Sequence, residues 1–437
     1  MPLSLSRRGL ALAAASLGAL PRRARAQDAS TCNTVPDVPT AERPPPQAYW
    51  RSISDPELDL AFRCHGMMPE FLADDVTPLG VHYLLNHFAI PALDADGYAV
   101  AIGGKVANPR KVPLAELQGR PTLTQAVTME CAGTGRRTLS PRPVYVPWDK
   151  ECIGTYQWTG TPLAPLLQEA GIDPSAVEVL FSGWDSGVDL GVEHAFERSL
   201  PIAEAMRAEV MLAWAANGQP LLPEHGFPLR LVVPSWYGMA SVKWLRAITV
   251  LDAPFEGVQQ KQVYIYEQVK DDPNASPVQH KRVNSAILPV GYPDLVSRVA
   301  FVAPGTLTVR GRAWSGNGRV TRVEFSADGG ASWQDAQLQR TLADPYAWVG
   351  WQASWSASDG AAVLACRATD ETGQVQPLDP QAAWNLGGNG VNAAARLPVM
   401  VQDGVGSVLA QVPCQPRLAL PDGRLPPVPD ALNTAAV

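Results

Sequence analysis

The spacing of apolar residues changes partway along the chain and predicts two domains. From residue 55 to about residue 250, short apolar runs alternate with segments whose apolar residues recur every three or four positions, as in buried strands and amphipathic helices. From about residue 297 to 401, apolar and polar residues alternate with a period of two, which is typical of half-buried strands. We therefore predict an α+β domain over residues 55–255 and an all-β domain over residues 291–402.

Several segments of the first domain have clear periodicity. Helical spacing is found over residues 161–170 and 201–216. The run from Ala126 to Met129 predicts a buried strand. Further strands are predicted over residues 98–106, 177–182, 229–233 and 242–251. The last two are dense in Val, Ile and Leu, so we expect them to be buried on both faces.

The second domain has the strand density of an immunoglobulin-like sandwich, with about seven short strands in roughly 105 residues. One hairpin is predicted from residue 320 to 338, with Asp328-Gly329 at its turn. Cys366 has no obvious partner cysteine within the domain, so we expect the usual disulfide between the two sheets to be absent.

Polar and proline-rich segments connect and flank the domains. Residues 256–290 are predicted to form a linker, in which Tyr264 and Tyr266 interrupt a polar run. Residues 27–54 are predicted to be an extended N-terminal arm, and residues 403–437 a proline-rich C-terminal tail.

The first 26 residues are expected to be a targeting segment. Arg7 and Arg8 precede an apolar run from Gly9 to Leu20, and a small-residue cleavage site ends at Ala26. The apolar run is too short to span a bilayer. The paired arginines predict a twin-arginine signal and hence a periplasmic protein. A Sec signal is the alternative.

Charge and cysteine spacing exclude several function classes. Removal of residues 1–26 takes away five arginines and no acids, which leaves 30 basic and 42 acidic residues and a net charge of −12. This charge argues against nucleic acid or an anionic membrane surface as a partner, and it fits a basic partner. The cysteines form no C-x-x-C pair, so zinc fingers, iron–sulfur clusters and covalent haem lack their ligand spacing.

Cys131 is the first candidate for chemistry. It lies two residues after the end of the predicted strand Ala126–Met129, and it precedes small residues and the neighbouring cations Arg136 and Arg137. Nearby positive charge lowers a cysteine pKa, so this thiol is a candidate thiolate. A buried structural cysteine beside a turn is the alternative.

Four clusters of polar or cationic residues stand at strand ends or tight turns of the first domain. Each alone is better explained by packing, but together they predict a site for a large anionic cofactor rich in hydrogen-bonding groups. In chain order, the clusters are Asn86-His87, the Cys131 loop, His225 with Arg230, and Ser241 with Lys243.

A set of short motifs extends over nearly the whole chain from about residue 55 to residue 401. In chain order, they are Glu130-Cys131-Ala132-Gly133, Trp148, Trp158-Thr-Gly-Thr-Pro-Leu, Asn217-Gly218-Gln-Pro-Leu, His225-Gly-Phe-Pro-Leu-Arg230, Val242-Lys243-Trp244-Leu245 and Trp314-Ser-Gly. In this order they resemble the sulfite oxidase family of molybdenum enzymes. Within that family, the chain is most similar to the bacterial sulfite/sulfane dehydrogenases, which include the molybdenum subunit of the Sox thiosulfate-oxidising system.

The resemblance implies a molybdopterin-binding domain, an immunoglobulin-like dimerisation domain and Cys131 as the thiolate ligand of molybdenum. A soft thiolate suits such a metal and tunes its potential. The resemblance further implies that Tyr264 donates a hydrogen bond at the active site, that Arg136 orients the substrate anion and that Trp148 shapes the pocket. The residues implied to hold the molybdopterin are Asn86, His87, Asp185, Ser186, His225, Arg230, Ser241 and Lys243.

The chain departs from the family's pattern near the implied substrate site. Thr134 and Gly135 replace an asparagine and an arginine that follow Cys-Ala-Gly, while Arg136 keeps the second arginine. Leu85 and Gly387 stand where relatives have arginines. A hydrogen bond to a charged group contributes roughly 1.5–3 kcal/mol, so we expect weaker binding of free sulfite. The departures point to another substrate, such as sulfur attached to a partner protein's cysteine.

The resemblance therefore implies a periplasmic molybdenum oxidoreductase that oxidises an inorganic or protein-bound sulfur substrate and passes electrons to a c-type cytochrome. We expect no haem in this chain, no membrane span, and a homodimer formed through the C-terminal domain. The alternatives are a sulfoxide reductase with the same cofactor, a cofactor-free scaffold protein, and a hydrolase with Cys131 as nucleophile. The hydrolase would need His87 or His225 within hydrogen-bond reach of Cys131.

Overall fold

The computed structural model describes residues 63–293 and 299–405. The predicted signal peptide (1–26), the predicted arm (27–54) and most of the predicted tail (406–437) lie outside the described residues. Within the described ranges, no helix is long and apolar enough to cross a membrane.

The first domain contains a mixed sheet whose strands cover the large apolar core of this part of the molecule. One pair, Ala99–Gly104 with Leu245–Leu251, is parallel, and the other pairs are antiparallel. In spatial order, the strands are Arg110–Pro113, Ala99–Gly104, Leu245–Leu251, Glu178–Asp189 and Val192–Pro201. Leu245–Leu251 exposes Arg246, so the prediction that this strand is buried on both faces is wrong. The prediction is confirmed for Arg230–Val232, which is buried along its length.

An antiparallel sheet carries the candidate cysteine. Its strand Leu123–Glu130 is buried from Gln125 onwards, which confirms the predicted buried strand. It pairs with Ile153–Pro162 over its full length, so the chain reaches Cys131 at a fixed edge of the sheet. The remaining strands of this sheet are Met211–Ala216, Gln219–Pro220 and Arg230–Val232.

The predicted helix over residues 201–216 is wrong in its second half. Only Ile202–Ala205 is helical, and Met211–Ala216 is a strand that pairs with both Ile153–Pro162 and Arg230–Val232. Because this strand is central, residues on both of its faces are buried. A continuous apolar run of this kind has no period that separates strand from helix, so pairing with distant strands decided the outcome.

Helices are short throughout the described residues. The predicted helix over 161–170 is observed as Leu163–Ala170, which buries its apolar face against the core. The other α-helices are Leu114–Gln118 and Ile202–Ala205, and Gln259–Val263 is a short π-helix. The 3₁₀ helices are Pro69–Ala73, Arg136–Thr138, Pro223–His225, Gly238–Ala240 and Pro380–Ala383.

Short paired strands also hold the chain on either side of the two large sheets. One ladder joins Cys64–His65 to Leu84–Leu85, next to the Asn86-His87 cluster. The other joins Ile265–Tyr266 to Ser276–Pro277 within the predicted linker. The linker is therefore a structured segment in which the backbone of Tyr264 is fixed by its neighbours.

The second domain is built from two sheets that share an apolar core. In spatial order, one sheet contains Asn284–Ile287, Gly305–Trp314, Val349–Ala357 and Gln337–Gln339. The other contains Tyr292–Pro293, Ala300–Val302, Ala395–Val401, Gly360–Asp370, Val320–Ser326 and Gln334–Asp335. Cys366 is a buried free thiol, which confirms that it forms no disulfide within the described residues.

The carboxyl group of Glu130 joins the two domains. Its oxygens accept hydrogen bonds from the Asn284 side-chain amide at 2.8 Å and the Trp314 indole N–H at 2.9 Å, and both donors belong to the second domain's sheet. Only 1% of Glu130 is exposed, and burial raises the pKa of its carboxyl group to about 7. The ammonium of Lys281 donates to the Thr128 carbonyl of the same strand at 2.9 Å. The strand that leads to Cys131 is thus held by side chains from across the domain boundary.

We expect Glu130→Ala to lower the free energy of unfolding by about 3 kcal/mol, because it leaves two buried donors without an acceptor. Urea denaturation followed by tryptophan fluorescence measures this change. Glu116→Ala is the matched control: its ion pairs with Arg110 and Arg120 are partly exposed, so the loss should stay below about 1 kcal/mol. Equal losses in the two variants would contradict the role given to Glu130.

Candidate active site

A cavity lies between the Cys131 loop and the ends of several first-domain strands. Sequence elements that are far apart along the chain meet at its wall. The residues singled out from the sequence that line it are Leu85, His87, Cys131, Asp185, His225, Arg230, Ser241, Lys243 and Tyr264. The structure therefore brings the four polar clusters together around one space.

Other residues singled out from the sequence lie outside this cavity. Ser186 is exposed, because neighbouring residues of a strand point to opposite faces and Asp185 takes the inward position. Asn86 lies behind the wall, where its side-chain oxygen accepts a hydrogen bond from Lys243. Trp148 packs in the apolar cluster that contains Cys131, and its indole N–H has no partner among the described residues.

Cys131 sits at the end of the strand Leu123–Glu130, in a tight turn. Its backbone N–H donates to the Cys152 carbonyl at 3.0 Å, and its sulfur accepts from the Gly133 N–H at 3.4 Å. Its pKa is lowered chiefly by a hydrogen bond from the Cys152 thiol; burial opposes this effect, and the charge of Arg136 adds to it. The turn therefore favours a thiolate that faces the cavity.

Arg136 clamps the Cys131 loop to the second domain. Its Nε donates to the Gly387 carbonyl at 3.0 Å, and its two terminal nitrogens donate to the Val146 carbonyl at 3.0 Å and to Asn389 Oδ1 at 3.3 Å. Its side chain is buried and does not line the cavity. The implied role of Arg136 in orienting the substrate anion stays a prediction, and in this structure its guanidinium serves protein acceptors.

Gly135 explains one departure from the family's pattern. Its φ of 80° lies in the left-handed region, which favours glycine. A Cβ atom there would also come within 2.7 Å of the Val391 carbonyl oxygen. A side chain at this position would therefore disturb the contact between the loop and the second domain.

Two buried cations give the cavity its positive charge. Arg230 donates to the carbonyls of His225 and Ser241, at 2.8 and 2.9 Å, so its guanidinium is fixed in place. The ammonium of Lys243 donates to the carbonyls of Leu85 and Glu224 as well as to Asn86. Burial lowers the pKa of Arg230 to about 10 and that of Lys243 to about 7.

The histidines at the wall are neutral hydrogen-bonding groups. Burial lowers the pKa of His87 to about 3 and that of His82 to about 4, and it holds the pKa of His225 well below its ordinary value. Burial raises the pKa of Tyr264, so this hydroxyl keeps its proton. The Tyr264 hydroxyl lies within hydrogen-bond distance of His87 Nε2, at 2.8 Å, and the tautomer of the neutral ring decides which of the two atoms donates. The implied donation by Tyr264 at the active site stays a prediction.

Sequence reasoning missed several parts of the wall. Tyr83, Met129 and Phe196 also line the cavity, and no motif singled them out. Arg198 packs against the face of the Tyr264 ring, with its guanidinium carbon 5.6 Å from the ring centroid. The same guanidinium donates a hydrogen bond to the Gln259 carbonyl at 2.5 Å. An isolated arginine in a strand gives no sequence signal, because only the paired sheet shows which way it points.

The wall fits a large anionic ligand that also has hydrogen-bond donors. Asp185 Oδ1 is buried and has no hydrogen-bond partner among the described residues, so it offers an acceptor to a ligand amine. Gly238 keeps the wall close to Tyr83, since a Cβ there would lie 2.3 Å from the tyrosine oxygen. Two cations, neutral imidazoles and one soft thiolate suit a phosphate-bearing pterin with a metal at the Cys131 end. The hydrolase alternative is not supported, because no histidine in the described ranges hydrogen-bonds the Cys131 sulfur.

Comparisons with known proteins match both domains. The family model for the oxidoreductase molybdopterin binding domain matches residues 87–259, and that for the Mo-co oxidoreductase dimerisation domain matches residues 276–402. The second match begins within the segment predicted to be a linker, which also supplies the strand Asn284–Ile287 to the second domain's sheet.

Alignments with sulfite oxidases from other organisms cover most of the chain. The chain is 35% identical to chicken (Gallus gallus) sulfite oxidase over 369 residues, covering 78% of this chain and 79% of the chicken protein. It is 32% identical to Arabidopsis thaliana sulfite oxidase, covering 72% of this chain and 85% of the plant protein. It is 34% identical to mouse (Mus musculus) mitochondrial sulfite oxidase, covering 76% of this chain but only 63% of the mouse protein.

A solved structure shares the overall fold. The crystal structure of the sulfane dehydrogenase SoxCD from Paracoccus pantotrophus superposes with a TM-score of 0.66 at 26% identity, covering 85% of this chain and 95% of the matched chain. Two family models match most of the chain, and relatives of more than 30% identity cover over 70% of it. The chain therefore belongs to the sulfite oxidase family of molybdopterin oxidoreductases and has that family's C-terminal dimerisation domain.

Proposed function

We propose that this protein oxidises an inorganic or protein-bound sulfur substrate in the periplasm and passes the electrons to a c-type cytochrome. The observation on which this proposal depends is the Cys131 thiol, which is held at a strand end with a lowered pKa and faces a cavity lined by Arg230 and Lys243. When bound, the molybdenum cofactor supplies oxygen-atom transfer and two-electron redox chemistry. In the net reaction, the substrate sulfur gains an oxygen atom that derives from water and loses two electrons, and two protons are released.

The chain's own residues would divide the work of binding this cofactor. Cys131 would bind the metal, and Arg230 and Lys243 would balance the negative charge of the phosphate end. His87 and His225 are neutral, so they would donate or accept hydrogen bonds without adding charge. The burial of the wall would exclude water and strengthen each of these polar contacts.

The substrate pocket is poor in free cations. Leu85 lines the cavity at a position where relatives have an arginine, and Gly387 offers only its carbonyl, which accepts from Arg136. A small dianion needs charged donors in a dry pocket. We therefore favour a substrate whose sulfur is attached to a larger group, such as a protein cysteine, over free sulfite.

Other parts of the chain support the proposed localisation and assembly. The twin-arginine motif in residues 1–26 supports export to the periplasm. The acidic net charge of −12 that remains supports a basic electron acceptor, as expected for many small cytochromes. The match to the dimerisation domain supports a homodimer. The two packed sheets support an immunoglobulin-like arrangement of that domain.

The first test concerns the metal ligand. We expect Cys131→Ser to lose most of its molybdenum and nearly all activity, because a hydroxyl is a poor ligand where the site offers a soft thiolate. Elemental analysis gives the molybdenum content, and activity is measured with sulfite, thiosulfate and a persulfidated peptide, each with cytochrome c as acceptor. Reduction of methionine sulfoxide by a reduced dye tests the reverse direction.

The control is Cys366→Ala, which removes a buried thiol of the second domain and should keep both the molybdenum content and the activity. Full activity in Cys131→Ser would contradict the proposal.

The second test concerns the missing arginine. Leu85→Arg places a cation at the cavity wall, and one charge-assisted hydrogen bond contributes roughly 1.5–3 kcal/mol. We therefore expect kcat/KM for free sulfite to rise roughly 10- to 100-fold. Leu85→Met is the matched neutral control and should leave this ratio near its original value. If the two variants have the same kcat/KM for sulfite, the lack of a cation in the pocket does not limit sulfite oxidation and the prediction is wrong.

The third test concerns pH. Lys243 has a pKa lowered to about 7 and Asp185 one raised to about 7, both chiefly by burial. As the pH rises through 7, Lys243 loses its positive charge and Asp185 gains a negative one, so the cavity becomes less attractive to anions. We expect sulfate to bind the cofactor-free chain roughly tenfold more weakly at pH 8 than at pH 6. Isothermal titration calorimetry measures this, and sulfate keeps its charge over the range. Lys243→Met should bind sulfate weakly at both pH values. If the wild-type chain binds sulfate equally well at both, Lys243 and Asp185 do not control anion binding as predicted.

A further inference from the structure

A second buried cysteine lies opposite Cys131. The antiparallel ladder between Leu123–Glu130 and Ile153–Pro162 pairs Glu130 with Ile153. One step further, the Cys131 N–H donates to the Cys152 carbonyl at 3.0 Å, so these two residues face each other across the ladder. Side chains of directly opposed residues lie on the same side of the sheet, with Cα atoms about 5.5 Å apart in a hydrogen-bonded pair. The two thiols are therefore neighbours.

The Cys152 thiol lies in mainly apolar surroundings. Cys152 is fully buried, and it shares an apolar cluster with Met129, Trp148 and Tyr156. The Cys131 side chain belongs to the same cluster, and its sulfur accepts from the Gly133 N–H at 3.4 Å. Cys152 is thus a buried thiol held next to Cys131, and a thiol can donate a weak hydrogen bond.

We propose that Cys152 is a positioning residue whose S–H group donates a hydrogen bond to the Cys131 sulfur and thereby sets the reduction potential of the molybdenum centre that Cys131 binds. This inference rests on the proposed function of Cys131 as metal ligand. A hydrogen bond to a metal-bound sulfur withdraws electron density from it, which stabilises the reduced metal and raises the potential. The nearby Gly133 N–H acts in the same sense but is fixed by the backbone, so Cys152 is the side chain that can be varied.

The alternative role of Cys152 is structural only: a small apolar residue that fills space behind the turn. The two roles differ in what a substitution changes. A space-filling thiol affects stability when it is shortened, whereas a donor to the metal-bound sulfur also affects the electronic properties of the centre. Alanine removes the donor, while serine keeps a donor of nearly the same size.

The experiment uses the molybdenum-loaded enzyme and measures the midpoint potential by redox titration followed with electron paramagnetic resonance. We expect Cys152→Ala to shift the potential downward and to move the thiolate-to-molybdenum charge-transfer band, at unchanged molybdenum content. Cys152→Ser should recover part of both shifts because it retains a donor. Cys366→Ala is the matched control: this buried thiol contacts Ser285 in the second domain and should change neither quantity.

An unshifted potential and band in Cys152→Ala, with normal molybdenum content, would overturn the inference and leave the proposed function intact. Wild-type protein that carries no molybdenum would overturn both. If Cys152→Ala fails to fold, the infrared S–H stretching band of the wild-type holoenzyme decides the question, with Cys152→Ser used to assign the band. A band shifted to low frequency supports the hydrogen bond, and a band at the frequency of a free thiol overturns it.

Discussion

The position of the Cys131 thiol depends on a carboxyl group buried between two domains. Glu130 directly precedes Cys131, and its oxygens are held by Asn284 and Trp314 of the second domain. A buried carboxyl group needs such donors, since burial without them is strongly unfavourable. Two further hydrogen bonds join the Cys131 loop to the second domain. The Gly390 N–H donates to the Ala132 carbonyl at 2.7 Å, and Arg136 donates to the Gly387 carbonyl. The second domain is therefore part of the active site's scaffold, in addition to any role in dimerisation.

This constraint changes how the charges near Cys131 are understood. Arg136 lies close enough to lower the pKa of the thiol, yet its N–H groups are directed at backbone and amide acceptors. Its charge acts on the sulfur while its donors hold the loop. The cations that face the cavity are Arg230 and Lys243, at the end where a cofactor phosphate would be bound. Arg230 and Lys243 thus face the cavity, whereas the N–H groups of Arg136 are used by protein acceptors.

Among the departures from the family's pattern, Gly135 has a structural reason in this chain, and Gly387 and Leu85 make backbone contacts around the Cys131 loop and Lys243. Gly135 adopts a left-handed conformation against the Val391 carbonyl, where a side chain would collide. Gly387 supplies the backbone carbonyl that accepts from Arg136, a contact that does not depend on the side chain at this position. Leu85 takes part in a short ladder with Cys64, and its carbonyl accepts from Lys243. Each change lowers the number of free cations but leaves the thiol and its loop firmly held.

The sequence by itself determined the local features of this protein. Periodicity indicated the strand before Cys131, the helix near residues 163–170 and the alternating strands of the second domain, because these patterns depend on which side of a single element is buried. Motifs indicated the family and most of the residues that line the cavity. Only the tertiary structure decided that Met211–Ala216 is a central strand, that Asn284–Ile287 belongs to the second domain's sheet, that Arg136 is a clamp and that Cys152 faces Cys131. These outcomes depend on contacts between residues that are far apart along the chain. Pairing between distant strands and burial between domains leave no periodic pattern in the sequence around either residue.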